Sequence, residues 1–125
     1  MPQLTRLVLY KNKLKEIPSW ISELKNLQEL TLGDNLISQL PIEIGNLSNL
    51  IELSVYRNSL LSLPDSYKGL INLQDLNIFG NKISQLPEWI GNFDKLSNLI
   101  ISNNKLSELP ASIIKLKNLR TFWLE

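Results

Sequence analysis

The sequence predicts an α/β solenoid in which a unit of 23 residues is repeated about five times. The pentapeptide ISQLP occurs at residues 37–41 and again at 83–87, two repeat lengths apart. Shifting the 125-residue sequence by 23 places aligns six leucines, which are Leu4, Leu27, Leu50, Leu73, Leu96 and Leu119. An asparagine and a proline recur in every full repeat without insertion. We therefore expect one domain over residues 1–125, with repeats that start at the first five leucines and a partial repeat from the sixth.

Each repeat begins with alternating apolar and polar residues, which predicts a half-buried β-strand. Written once, the unit is LxxLxLxxNxLxxLPxxIxxLxx. Because successive repeats stack, their strands should lie side by side, about 4.8 Å apart. The pattern therefore predicts a parallel sheet of about six strands.

Two asparagine columns are expected to hold the turns at the ends of each strand. The first column follows the strand, where a buried amide can bond backbone groups of its own repeat and of the adjacent one. Its members are Asn12, Asn35, Asn58, Asn81 and Asn104. The second column precedes the strand and should make the turn back into it. Its members are Asn26, Asn49, Asn72 and Asn118, with Lys95 in the fourth place.

The second half of each repeat predicts a convex side made of short turns. Its proline fixes φ and disfavours helix in the preceding residue, so the return path should start extended. The PxxIxxL spacing then predicts a 3₁₀ or short helical turn. The residues expected to be buried there are Ile21, Ile44, Tyr67, Ile90 and Ile113. Trp20 and Trp89 hold matching positions, and we expect both to pack against a neighbouring repeat.

This pattern resembles the leucine-rich repeat, and the resemblance covers essentially the whole chain. The repeat length and the LPxxIxxL half are similar to those of the short bacterial proteins of this family, such as those of spirochaetes. They are also similar to the repeats of Ras-binding scaffold proteins and their plant relatives. The resemblance implies a horseshoe arc and a protein-recognition function. For a bacterial pathogen it also implies a host protein as a candidate partner.

Composition argues against other classes of function. The 13 basic residues nearly balance the 12 acidic ones, so neither nucleic acid nor an anionic membrane is expected as a partner. There is no histidine for general acid–base chemistry, and no phosphate loop or metal-ligand spacing occurs. We therefore expect no enzyme activity, no cofactor and no metal ion.

The apolar runs are too short to cross a bilayer, so no membrane insertion is expected. The opening residues MPQLTRLVLY lack the layout of a signal peptide. A cytoplasmic location is therefore the default expectation, and a secreted or surface location is expected if a leader has been removed.

The residues that the consensus leaves free should carry the function. The third, fifth and seventh residues of each repeat should point to the concave side of the sheet. In the third place, Glu29, Glu52 and Asp75 bring three like charges onto consecutive strands. A solvated polar face, a surface for a basic partner, and a cation site or catalytic pair all remain open interpretations of this row.

A diagonal apolar stripe is predicted across the four C-terminal strands, formed by Tyr56, Phe79, Ile100 and Trp123. Contiguous exposed apolar groups usually mark interfaces, and aromatic residues dominate binding hot spots. We therefore predict that the chain binds a protein partner through its concave face. The predicted contact residues are Tyr10, Glu29, Glu52, Tyr56, Arg57, Asp75, Phe79, Ile100 and Trp123.

The ends of the chain suggest an alternative function as an assembly unit. Leu7 and Leu9 at one end, and Phe122 and Leu124 at the other, have a neighbouring repeat on one side only. Half-covered apolar side chains and open strand edges favour association. We therefore expect either a longer native protein or self-association through the terminal repeats, preferably at the C-terminal end.

Overall fold

A six-stranded parallel sheet runs through the computed structural model, which describes residues 1–125. The strands have three residues each and follow one another in chain order. They are β1 Arg6–Val8, β2 Glu29–Thr31, β3 Glu52–Ser54, β4 Asp75–Asn77, β5 Asn98–Ile100 and β6 Thr121–Trp123. The register shifts by one repeat from strand to strand, so that Leu30 lies opposite both Leu7 and Leu53. The predicted parallel sheet is therefore confirmed.

The core lies between this sheet and the convex turns, and the consensus apolar residues fill it. The middle residue of each inner strand points inward because side chains alternate along a strand. Leu53 in β3 and Leu99 in β5 are fully buried, whereas Phe122 in β6 is 37% exposed. Complete burial thus requires a repeat on both sides of the side chain.

Five 3₁₀ helices form the convex side, and each starts directly after the consensus proline. They span Ser19–Glu23, Ile42–Asn46, Asp65–Gly69, Glu88–Asn92 and Ala111–Lys115. The preceding prolines are extended, as for Pro64 with φ −60° and ψ 142°. None of these helices has the length and apolar content that crossing a membrane requires. The predicted inward residues are buried except Ile113, which is half-buried in the last helix.

Glycines bring some of the convex helices into close contact. A β-carbon on Gly45 would overlap the Ser66 carbonyl oxygen, and one on Gly91 would overlap that of Ser112. Each serine hydroxyl also donates to the preceding helix, as Ser66 does to the Ile42 carbonyl at 2.6 Å. The third and fourth helices pack more loosely.

The two tryptophans at matching positions differ in their packing. Trp89 packs edge-on against Phe93, and its indole Nε1 donates to Asp65 Oδ1 at 3.2 Å. Trp20 is 51% exposed, so the expectation of packing is met for Trp89 and is wrong for Trp20. The reason is that Trp89 donates to a residue 24 places earlier, and the sequence has no residue 24 places before Trp20.

A ladder of asparagines closes the turn after each strand. The Asn58 amide nitrogen donates to the carbonyls of Leu32 and Val55, both at 3.0 Å. Its Oδ1 accepts the Ile37 N–H, also at 3.0 Å. The same bonds recur at Asn35, Asn81 and Asn104. Each of these four amides therefore connects two repeats, as the sequence predicts, whereas the Asn12 side-chain amide donates only to the Tyr10 carbonyl of its own repeat.

The second asparagine column connects repeats before the strand. Asn49 donates to the Lys25 carbonyl at 2.9 Å, one repeat earlier, and Asn26, Asn72 and Asn118 make the equivalent bond. Lys95, the exception in the column, donates to Asn72 Oδ1 at 2.7 Å. The lysine thus also connects two repeats, but it donates to a side-chain oxygen and not to a backbone carbonyl.

Candidate functional site

Seven of the nine predicted contact residues lie in two rows on the concave face, one at each edge of the sheet. The first residue of each strand forms the amino edge, which comprises Arg6, Glu29, Glu52, Asp75, Asn98 and Thr121. The seventh and eighth residues of each repeat, beyond the strand, form the carboxyl edge. It comprises Tyr10, Lys11, Gly33, Asp34, Tyr56, Arg57, Phe79, Gly80, Ser102 and Asn103. Ile100 and Trp123 lie between the two edges and are register partners.

The three carboxylates of the amino edge differ in their partners. Glu29 is paired, since its Oε2 lies 2.8 Å from Arg6 Nε. Asp75 accepts a hydrogen bond from the Asn98 side-chain amide. The Glu52 carboxylate lies between them and has no ion pair or hydrogen bond within the chain. It is therefore the unpaired charge of the row.

The surroundings of Glu52 oppose its ionisation. Burial raises the pKa of the Glu52 carboxyl, and repulsion from Glu29 and Asp75 raises it further, while Arg6 acts in the opposite direction. The ionised carboxylate is thus held where a nearby cation would stabilise it.

Glu52 and Asp75 share a shallow, open depression with Ser54, Asn77, Asn98 and Ile100. An open depression neither desolvates a catalytic carboxyl strongly nor encloses a small substrate. The structure contains no group of three or more acidic, histidine or cysteine residues placed to hold a metal ion. This arrangement suits contact with a macromolecule better than catalysis.

At the carboxyl edge, a glycine positions the ring of Tyr56. A β-carbon on Gly33 would overlap the Tyr56 ring, so the ring lies directly against the backbone of the preceding repeat. Gly33 is buried under this contact. The glycine is therefore what allows the aromatic ring to pack against the neighbouring repeat.

The Arg57 side chain is held between two neighbouring repeats. Its guanidinium carbon lies 5.8 Å from the centre of the Phe79 ring, and its Nη1 lies 3.8 Å from Asp34 Oδ1. The first contact has cation–π geometry. The side chain is nonetheless 63% exposed, so it is oriented by its neighbours and still accessible to a partner.

One backbone feature of this edge is absent from the sequence-based prediction. The eighth residue of every full repeat is left-handed, with φ between 49° and 68° at Lys11, Asp34, Arg57, Gly80 and Asn103. Its N–H still bonds to the next repeat, as from Arg57 to the Phe79 carbonyl at 2.7 Å. The sequence signal was the glycine, aspartate and asparagine in this column, since these residues favour left-handed φ.

The predicted apolar stripe has three different surroundings. The Tyr56 ring packs against Gly33. Phe79 and Trp123 line one shallow groove together with Phe122. Ile100 instead lines the depression beside Glu52 and Asp75. Tyr10 lies at the far end of the carboxyl edge, with the Lys11 ammonium 5.9 Å from its ring centre. The structure thus places an apolar side chain within the acidic part of the face.

Comparison with protein families gives matches over most of the chain. Residues 2–44 match the family described as "Leucine Rich repeats (2 copies)", and residues 72–93 and 95–116 match "Leucine Rich Repeat". No curated protein sequence matches the chain.

Solved structures of this fold superpose closely. A leucine-rich repeat protein of Leptospira interrogans has 38% identity and a TM-score of 0.92, covering 96% of this chain and 32% of that one. The ectodomain of the Arabidopsis thaliana receptor kinase GASSHO1/SCHENGEN3, in complex with CASPARIAN STRIP INTEGRITY FACTOR 2, has 30% identity and a TM-score of 0.91, covering 99% and 16%. The plant peptide hormone receptor RGFR1, in complex with RGF2, has 34% identity and a TM-score of 0.87, covering 97% and 21%.

The chain spans about a third of the length of the Leptospira interrogans protein, and smaller shares of the two receptors. Both receptor structures are complexes with a ligand, which supports a protein-binding module. The family matches and the likeness to the Leptospira interrogans protein agree with the repeat pattern. The chain belongs to the leucine-rich repeat family and is of the bacterial type.

Proposed function

We propose that this chain is a recognition module that binds a partner protein through the concave face of its sheet. The supporting observation is the row of Tyr56, Arg57 and Phe79, whose accessible side chains are held by neighbouring repeats. Oriented aromatic and arginine side chains are typical of binding hot spots, because little freedom is lost on binding. The proposed contact residues are Tyr10, Glu29, Glu52, Tyr56, Arg57, Asp75, Phe79, Ile100 and Trp123.

The size of the face suggests a weak complex unless the rim takes part. Five spacings between repeats, multiplied by an extent of four residues along each repeat, give a footprint of about 320 Å². A standard interface buries about 800 Å² on each partner. We therefore include the rim residues Lys11, Asp34 and Arg57 in the contact, and we expect micromolar or weaker affinity without them.

The likeness to a Leptospira interrogans protein supports a bacterial source for the chain. For a chain from a pathogen, we propose a host protein as the partner. The charged and aromatic residues of the concave face are the groups that such a partner would contact.

The test is the capture of partner proteins by the immobilised domain, with quantitative mass spectrometry as the readout. Tyr56→Ala combined with Phe79→Ala should abolish capture of the specific partner. The matched control is Trp20→Ala combined with Ile114→Ala, two exposed apolar residues of the convex turns. Urea titration should confirm that both double variants fold. A partner retained in full by the first variant would place the binding site elsewhere.

A second candidate is association through the C-terminal end of the solenoid. Phe122, Trp123 and Leu124 are exposed, whereas Leu99 and Ile101, one repeat earlier, are buried. These side chains would be covered either by a further repeat of a longer chain or by a second copy of this chain. Light scattering over a hundredfold dilution distinguishes these cases for this chain, because a constant monomer mass would contradict self-association.

A further inference from the structure

The depression at the amino edge contains polar groups that the chain itself does not satisfy. Glu52 in β3 and Asp75 in β4 are register partners, and Ser54 lies two residues along β3 from Glu52. All three line the same depression. Ser54 is only 6% exposed, yet its hydroxyl makes no hydrogen bond within the chain and stays open to solvent. A hydroxyl that has no protein partner and stays accessible on an otherwise buried residue, beside an unpaired carboxylate, is available to a ligand.

The chain fills the equivalent place near the first strand with its own arginine. Arg6 in β1 lies opposite Glu29 in β2, and the two side chains form an ion pair at 2.8 Å. No lysine or arginine of the chain forms an ion pair with Glu52 of β3 or Asp75 of β4. Asn98 from β5 supplies one amide to Asp75, and Glu52 receives nothing. The Arg6 pair therefore illustrates the contact that Glu52 lacks.

The chemistry of the depression fits a guanidinium group better than an ammonium group. Carboxylates on neighbouring strands about 4.8 Å apart offer acceptors in two directions. A planar guanidinium has five donors and can bond to both, whereas an ammonium acts as a compact point charge. The Ser54 hydroxyl is a further acceptor. Ile100 lines the same depression and can cover the apolar stem of an arginine.

We propose that the depression formed by Glu52, Ser54 and Asp75 binds the guanidinium group of an arginine on the partner protein. The inference rests on the proposed function, because it specifies the chemistry of the partner at the same concave face. It predicts a partner segment that carries at least one exposed arginine opposite β3 and β4.

The test is an NMR titration of the labelled domain with the capped peptide Gly-Arg-Gly. Saturable shifts are expected at the backbone amides of Ser54, Asn77 and Asn98. Glu52→Gln should weaken binding about tenfold, because it removes one partner of a charge-assisted hydrogen bond. The charge-matched control is Glu23→Gln at the end of the first convex helix, which should bind the peptide as the unmodified chain does.

Three outcomes would overturn the arginine site. They are the absence of saturable shifts, equal shifts with the capped peptide Gly-Lys-Gly, and unchanged affinity in the Glu52→Gln variant. Ser54→Ala provides a second variant, since it removes an acceptor and leaves the charges in place. It should weaken arginine binding by a smaller factor than Glu52→Gln.

The capture experiment separates this inference from the proposed function. A partner that is lost with Tyr56→Ala and Phe79→Ala but kept with Glu52→Gln would support the concave face and overturn the arginine site. Conversely, saturable peptide shifts at Ser54, without any partner that depends on Tyr56 and Phe79, would support the arginine site and contradict the proposed function.

Discussion

The two edges of the concave sheet are built differently, although the same repeat generates both. At the carboxyl edge, Arg57 is held by an aromatic ring and a carboxylate, and the adjacent Asn58 bonds to two repeats. At the amino edge, Glu52 has no partner and Ser54 has an unused hydroxyl. The carboxyl edge thus holds the repeats together, while the amino edge retains unsatisfied groups for a ligand.

This difference follows from the repeat itself. The asparagine of each turn bonds backbone groups, which are the same in every repeat, so one residue type suits every turn. The amino edge bonds side chain to side chain, and its residues change from Arg6 through Asp75 to Thr121. A side-chain row can therefore change its charge without any change in the backbone stack.

The largest expected effect lies in the asparagine ladder, next to the carboxyl edge. Asn58→Ala should lower the free energy of unfolding by about 1–3 kcal/mol, because the Ile37 N–H loses its acceptor in a buried turn, and the Leu32 and Val55 carbonyls each lose one of two amide donors. Urea titration measures this difference.

The control is Lys82→Ala, since Lys82 is exposed and immediately follows the next asparagine of the ladder. Its substitution should cost less than about 0.5 kcal/mol. Equal losses for Asn58 and Lys82 would contradict a stabilising role for the ladder.

The fold could be predicted from the sequence because its period is unbroken. The strand positions, the convex turns after each proline and the asparagine bonds follow from residues that recur every 23 places. The left-handed column was missed because Lys11 and Arg57 share it with Gly80 and Asn103, so no single residue type marks it. Trp20 was misjudged because its packing depends on a preceding repeat and not on its own position.

The candidate site was predictable only as a set of positions. Period alone places Glu52, Tyr56 and Phe79 on the concave face. The period does not indicate that Gly33 contacts the Tyr56 ring, or that the Ser54 hydroxyl stays accessible and has no partner within the chain. These contacts depend on side-chain conformations in adjacent repeats, which a consensus does not describe.

A smaller effect is expected for Gly80, the one glycine with positive φ in the left-handed column. Gly80→Ala should destabilise the domain by about 1 kcal/mol, because alanine at φ 68° is strained and its β-carbon would lie 3.2 Å from Arg57 Cγ. Thermal or urea unfolding measures the loss.

The matched variant in the same column is Lys11→Gly. Relief of the left-handed strain at φ 59° and the greater entropy of the unfolded glycine chain should nearly cancel, leaving a change within about 0.5 kcal/mol. A large increase in the free energy of unfolding from Lys11→Gly would mean that the left-handed conformation strains lysine more than we expect. No change from Gly80→Ala would mean that this conformation does not strain alanine.

The smallest expected effect has the opposite sign and lies at the amino edge. Glu52→Gln should stabilise the domain at neutral pH by about 0.5 kcal/mol or less, because it removes a partly buried charge repelled by Glu29 and Asp75. Glu23→Gln, on an exposed carboxylate, serves as the control and should change the free energy of unfolding less.

The pH dependence of this gain identifies its cause. The folded-state pKa of Glu52 is raised, so the folded chain holds this proton more tightly than the unfolded chain. The stability that protonated Glu52 contributes is fully present below the ordinary glutamate pKa of about 4 and is lost as pH rises through the raised value. The advantage of Glu52→Gln should therefore vanish in acid and reach its full size above the raised pKa. Urea titrations of both proteins across this range measure the difference, and a gain independent of pH would exclude charge as its cause. A substitution that stabilises the fold while weakening arginine binding is expected of a carboxylate retained for recognition and not for stability.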